Sequence, residues 1–308
     1  MKKRIASLLL GIAVTALVLW FLVTPDVVAE ARAVAAVAKW WMLAVAMLLA
    51  AGVQWLRAWR FGMMTDGTLA LPNARLVRIA FRLIFLNFAL PFRLGELGFP
   101  VMMRREYGTP LVRGAGILLL VRLFDLATVG AILCGAAAAL GVAGTPGRTS
   151  LLWIAAVVLA LAPFGLIFGM RAASPLLHRI LGRFAASAEE AARSSRAAAE
   201  LAAIGLSFAI WLVFGGLAAL SAAAIGDATT PGIALLGASA GNLAFALPIN
   251  GIAGLGPSQA AWVAAVTQAG VPFDEAVIGA FALYAVTLAS ALLFGGVAMF
   301  AGRSRGAT

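Results

Sequence analysis

The stretch LPFRLGELGFP, residues 90–100, packs two prolines, two glycines, an arginine and a glutamate into a chain that is otherwise apolar almost throughout. Proline lacks a backbone donor and clashes with the preceding helical turn, and glycine costs about 1 kcal/mol in a helix interior. Pro91 and Gly95 therefore break the helix that arrives from about residue 77. Broken backbone in hydrocarbon leaves N–H and C=O groups unpaired, which is tolerated only where protein or a wet cavity satisfies them.

The surroundings make hydrocarbon the relevant medium. The 308 residues are 63% hydrophobic and 11% charged, with a mean hydropathy of +1.03. Soluble domains carry about 25% charged residues. The composition predicts an all-α polytopic membrane protein. The short alternating segments of an outer-membrane barrel are absent. A net charge of +11 would suggest a nucleic-acid partner in a soluble protein. Here the basic residues set topology and meet anionic lipid. Cys134 is the only cysteine and His178 the only histidine, so no intrachain disulfide and no three-histidine metal site can form. No cofactor motif is present.

A span needs about twenty apolar residues. That length predicts six full spans, at 5–23, 38–58, 112–141, 150–169, 200–224 and 276–300, and two stretches broken by Pro and Gly, at 77–104 and 231–270. The opening MKKRIASLLLGIAVTALVLWFLV imitates a signal peptide. Its apolar run of about twenty residues exceeds the usual 7–15, so it reads as an uncleaved first span. Of the 23 basic residues, 19 fall before the first span, between the second and third or at their facing ends, between the fourth and fifth, or after the last. The alternate loops hold only Arg32, Lys39 and Arg148. This asymmetry predicts an inner-membrane protein with both termini cytoplasmic.

That topology constrains the broken stretches. The first has cytoplasmic flanks on both sides, so it enters from the cytoplasm and returns. The second enters from outside and returns. Each becomes a re-entrant helical hairpin between two full spans, in repeats of opposite direction at 38–141 and 200–300, the inverted-repeat pattern of secondary transporters. Two ordinary kinked spans are the alternative. Residues 171–199 join the repeats and read as an amphipathic cytoplasmic helix or a solvated connector.

The chemistry-bearing residues cluster at the breaks. Arg93 and Glu96 are three residues apart, on one face if helical. They read either as an anion site, with Arg93 the bidentate donor and Glu96 orienting it or coupling a proton, or as a salt-bridged surface turn. Arg122 and Asp125, in LLLVRLFDLATVG, have the same spacing about ten residues into an apolar helix. They read as a self-neutralising pair or as a second cationic wall of the same cavity. The second break, FALPINGIAGLGPSQAAW, offers Asn250, Ser258 and Gln259 as neutral polar groups and a half-helix starting near Pro257. Its glycines equally allow mere close packing. No catalytic constellation emerges.

LPFRLGELGFPVMMRREYGTPLVRGAGILLLVRLFD, together with LPINGIAGLGPSQAAW and AGVPFDEAV, resembles the signatures of the lysylphosphatidylglycerol synthase transmembrane-region family, also called the flippase-domain family. The likeness covers about Ala38 to Ala301. It implies a protein handling anionic or isoprenoid lipid, with the family's motif charges falling on Arg93, Glu96, Arg122 and Asp125. Two departures stand out. The glutamate usual after the second signature's Gly-x-Gly is Gln259 here, and an arginine usual in the last span has no counterpart around Leu283–Leu288. The soluble aminoacyl-transfer domain is also absent from the sequence, so the resemblance points to the membrane region and away from the synthase. The combined expectation is a non-enzymatic flippase moving an anionic phospholipid or polyprenyl-phosphate-linked lipid between leaflets. The alternative is a non-transporting subunit that docks a glycosyltransferase or lipid synthase.

Overall fold

The computed structural model describes residues 15–181, 197–226, 229–246 and 252–301. Among them there is no strand. After helical residues 15–22 come α1 (Pro25–Val37), α2 (Trp40–Asp66), α3 (Ala74–Ala89), a 3-10 turn (Pro91–Leu97) and α4 (Gly98–Tyr107). Then follow α5 (Leu111–Ala139), α6 (Pro146–Leu181), α7 (Ala197–Ala224), α8 (Pro231–Phe245) and α9 (Pro257–Gln268). The last span is α10 (Phe273–Ser290), a π turn (Ala291–Gly295) and α11 (Gly296–Phe300) in one continuous rod.

The helix ends are written locally. Thr24 and Thr230 cap α1 and α8 through their hydroxyls, each followed by a proline that has no N–H to satisfy. Asn73 Oδ1 accepts from the N–H groups of Arg75 and Leu76 at the start of α3. Gly67 and Gly108 end α2 and α4 in the left-handed conformation.

Five helices are long and apolar enough to cross a bilayer: Trp40–Asp66, Leu111–Ala139, Pro146–Gly169, Ala197–Ala224 and Phe273–Phe300. The protein is a multi-pass α-helical membrane protein. The sixth expected span, 5–23, lies mostly outside the described residues. Residues 171–181 of the expected connector continue α6 as one helix, residues 182–196 lie outside the description, and 197–199 open α7. The α6 span is mostly uncovered by protein, with Leu151, Val158 and Leu161 exposed. Its bare face suits lipid.

Both broken stretches fold back as hairpins. Tyr107 Oη donates to Asn73 Oδ1 at 2.6 Å, which joins the end of α4 to the start of α3. In the second hairpin Gly237 lies against Trp262 and Val266, and Gly241 against Ser258, so α8 and α9 run antiparallel. A Cβ on Gly237 would stand 2.6 Å from Val266 Cγ1, so only glycine admits this approach. At 15 and 12 residues, these arms are about 22 and 18 Å long, short of the roughly 30 Å hydrocarbon core.

The hairpins enter the helix pack from opposite ends and meet tip to tip. The first opens where α2 ends and α5 begins, marked by Arg113 Nη2 donating to Thr65 O at 3.0 Å. The second opens where α7 ends and α2 begins, marked by Lys39 N donating to Ala224 O at 2.7 Å. At the tips the Phe88 and Phe245 rings are 6.2 Å apart, and Tyr284 Oη donates to Ala253 O at 3.1 Å. Helices α2 and α7 run antiparallel, since Lys39 meets Ala224 at one end and Arg60 meets Ser207 at the other.

The packing is reciprocal. The α3 arm rests on α2 and on the π turn of the last span, while α8 rests on α7 and on α5. Likewise α4 packs on α5, and α9 on α10. Between lipid-bathed helices apolar transfer supplies little drive, so close contact and polar ties decide association.

Candidate functional site

A cavity of about 120 Å³ lies where the two hairpin tips meet the spans α2, α5, α7 and α10. Its wall is mainly apolar, with Phe88, Phe245 and Trp262 among the contributors. Polar side chains converge on it from several helices. Arg57 comes from α2, Asn87 from α3, Arg122 and Asp125 from α5, Ser258 and Gln259 from α9, and Tyr284 from α10.

Behind one wall stands a buried ion network. Arg60 Nη1 donates to Asp125 Oδ1 at 2.6 Å and Nη2 donates to Oδ2 at 3.0 Å, a bidentate fork. The same Nη1 reaches Ser207 Oγ at 2.7 Å, and Trp211 Nε1 donates to Asp125 Oδ1 at 3.0 Å. The side chains of Arg60 and Asp125 are only 1% and 6% exposed. Every contact is thus charge-assisted and away from solvent, where such bonds are strongest. The network ties α2 and α5 to α7.

Nearer the cavity the pairing is looser. Arg122 Nε donates to Glu96 Oε2 at 3.0 Å, and Nη2 stands 2.8 Å from Oε1 as an ion pair. Its Nη1 reaches Asp125 Oδ2 at 3.4 Å. Here the exposures are 22% and 18%. The Arg57 guanidinium sits 5.3 Å from the centre of the Trp211 ring. Three guanidiniums and two carboxylates leave this cluster with one net positive charge, and arginine cannot shed its proton in a protein. A partly dry cavity rimmed by excess positive charge attracts an anionic group.

Of the residues singled out from sequence, Glu96, Arg122 and Asp125 come together, and Arg122, Asp125, Ser258 and Gln259 line one cavity. Asn250 lies outside the described residues. Arg93 belongs to the 3-10 turn, and its side chain lies outside the description. The Arg122–Asp125 contact expected from the i,i+3 spacing is present, but the closer partners are Glu96 for Arg122 and Arg60 for Asp125.

Sequence reasoning missed Arg57, Arg60, Ser207 and Trp211. A second span ending at residue 58 leaves Arg57 at its edge and Arg60 beyond it. The helix runs on to Asp66, and Arg60 is among its buried residues. The available signal was WLRAWRFGMM, residues 55–64, where apolar periodicity continues across both arginines.

The second break is tied by neutral groups. Gly256 N donates to Gln259 Oε1 at 2.8 Å, so the buried Gln259 closes the start of its own helix. The Tyr284 hydroxyl, on the last span, holds the Ala253 carbonyl, where the backbone takes a positive φ of 54°. These are the two places where the sequence departs from the resembled pattern. Both carry uncharged hydrogen bonds to broken backbone. Among the described residues no cluster of His, Cys, Asp or Glu could hold a metal ion.

The family model for the lysylphosphatidylglycerol synthase TM region matches residues 8–295. The chain belongs to this family. No curated protein and no solved structure matches it. As a lysylphosphatidylglycerol synthase TM region, the chain has a membrane role related to lipid. Arg122 and Asp125 line its cavity, and Glu96 pairs with Arg122.

Proposed function

We propose that the protein is a non-enzymatic flippase of the inner membrane. It moves an anionic phospholipid or a polyprenyl-phosphate-linked lipid between leaflets, with both termini cytoplasmic. The observation that carries this reading is a net-positive cavity at the junction of two short hairpins that enter the helix pack from opposite ends. A phosphate must cross roughly 30 Å of hydrocarbon. Arg57 and Arg122 supply donors for it at the cavity wall, while the chains stay in the bilayer. The reciprocal packing of the two halves and the antiparallel α2 and α7 support an inverted repeat. Rocking one half against the other would open the cavity to each leaflet in turn.

The test is leaflet exchange of a fluorescent phosphatidylglycerol in proteoliposomes. A hydrogen bond to a charged group contributes about 1.5–3 kcal/mol, which predicts a roughly ten- to hundredfold slower exchange for Arg122→Ala, with Arg57→Ala also impaired. Arg122→Lys keeps the charge but loses the planar fork and should fall between. Unchanged exchange in Arg122→Ala removes the anion-site role. A wild-type protein that exchanges no anionic lipid, and instead purifies with a glycosyltransferase, supports the docking-subunit alternative.

A further inference from the structure

We infer that Glu96 is a tethered stand-in for the substrate's phosphate: it occupies the Arg122 guanidinium until the arriving anion displaces it, and its release loosens the turn at the tip of the first hairpin. The inference rests on the cavity being an anionic-lipid site and adds to that reading the residue that couples binding to movement.

The two ion pairs of the site differ in the way this role demands. Arg60–Asp125 is sealed, at 1% and 6% exposure, and is held further by Ser207 and Trp211. Arg122–Glu96 is less enclosed, at 22% and 18%. Glu96 presents two oxygens to Nε and Nη2 of one guanidinium at 3.0 and 2.8 Å, the approach a phosphate also takes. A pair with partial access to solvent biases a competing equilibrium only about two- to fivefold, so an incoming anion can replace it.

Its position gives the exchange a mechanical consequence. Glu96 sits on the 3-10 turn, whereas Arg122 belongs to the long span α5. The neighbouring Gly95 is wedged so tightly that a Cβ there would lie 2.5 Å from the Leu86 carbonyl carbon and 2.6 Å from Asn87 N. The turn and the end of α3 therefore move as one body. Helix α3 in turn bears on the π turn, where a Cβ on Gly295 would stand 2.8 Å from Phe81 O. Releasing Glu96 removes the ion pair between the turn and α5, while α4 still packs on α5 and the contact with the last span remains. Because Glu96 competes with the ligand, the inference predicts that removing its charge tightens binding. A residue that orients the ligand would weaken binding when neutralised.

The test uses the full chain in phosphatidylcholine nanodiscs, titrated with dihexanoyl-phosphatidylglycerol by calorimetry. Glu96→Gln and Glu96→Ala should bind about two- to fivefold tighter than wild type. Amide hydrogen exchange over residues 94–97 should quicken when the lipid is added to wild type, and should be fast and unresponsive in Glu96→Ala. Equal or weaker binding by both variants, at unchanged thermal midpoint, overturns the inference. If neither variant folds, the wild-type hydrogen exchange decides, and unchanged or slower exchange overturns it. Tighter binding without leaflet exchange keeps the stand-in role and removes transport. Wild-type leaflet exchange with equal affinities in all three proteins keeps transport and removes the stand-in. A wild-type protein that neither binds nor exchanges this lipid sinks both.

Discussion

Arg60 and Asp125 lie 65 residues apart in sequence and form a two-point ion pair, at 2.6 and 3.0 Å, that is almost completely withdrawn from solvent. Removing one partner of a buried pair leaves an uncompensated charge, at about 3–5 kcal/mol. Asp125→Leu should therefore lower thermal stability in detergent severely. The double variant Arg60→Met/Asp125→Leu removes both charges and should recover most of the loss. A thermal melt of the three proteins checks this, and a double variant no better than the single would count against the pair as the main tie.

The Gly95 approach gives a steric prediction. Gly95→Ala places a methyl carbon 2.5 Å from main-chain atoms that have no freedom to withdraw. The overpacking cost is about 1–3 kcal/mol. Leaflet exchange should fall along with the melting midpoint, because the turn carrying Glu96 must shift. Gly116, where an added Cβ meets nothing within 4 Å, is the matched control: Gly116→Ala should behave as wild type.

Gln259→Glu separates fold from charge. The carboxylate still accepts from Gly256 N, and a negative group at a helix start is favourable. The fold should survive. The new charge faces the same cavity as Arg122, offsets its excess positive charge, and should weaken binding of dihexanoyl-phosphatidylglycerol by several fold. Binding as tight as wild type in a well-folded Gln259→Glu would argue against an anionic ligand in this cavity.

Sidedness is tested by cysteine labelling in a Cys134→Ala background. Arg105 is exposed at the mouth of the first hairpin, and Thr145 is exposed between α5 and α6. An impermeant maleimide on intact cells should label Thr145→Cys and spare Arg105→Cys. The reverse result would invert the topology read from the arginine distribution.

The sequence alone determined the medium, the breaks and half of the site. Apolar runs of span length require a bilayer, and Pro91, Gly95, Pro248 and Gly256 cannot sit in unbroken helices, so the two interruptions are local consequences of chain chemistry. Arg122 and Asp125 were legible because a charge deep in an apolar helix is costly unless it has a role. Tertiary structure alone decided the partners. Spacing of three residues pointed to Arg122 with Asp125, which do touch at 3.4 Å, yet the shorter ion pairs join Glu96 to Arg122 and Arg60 to Asp125 across separate elements. The reason is geometric: Glu96 lies on a 3-10 turn wedged by Gly95 against α3, which faces it toward α5. Arg60 is buried because α2 runs past the apolar stretch that the hydropathy pattern ends at residue 58, against an antiparallel α7 that offers Ser207 and Trp211. Which helix lies opposite is a property of packing, and no local pattern in the sequence encodes it.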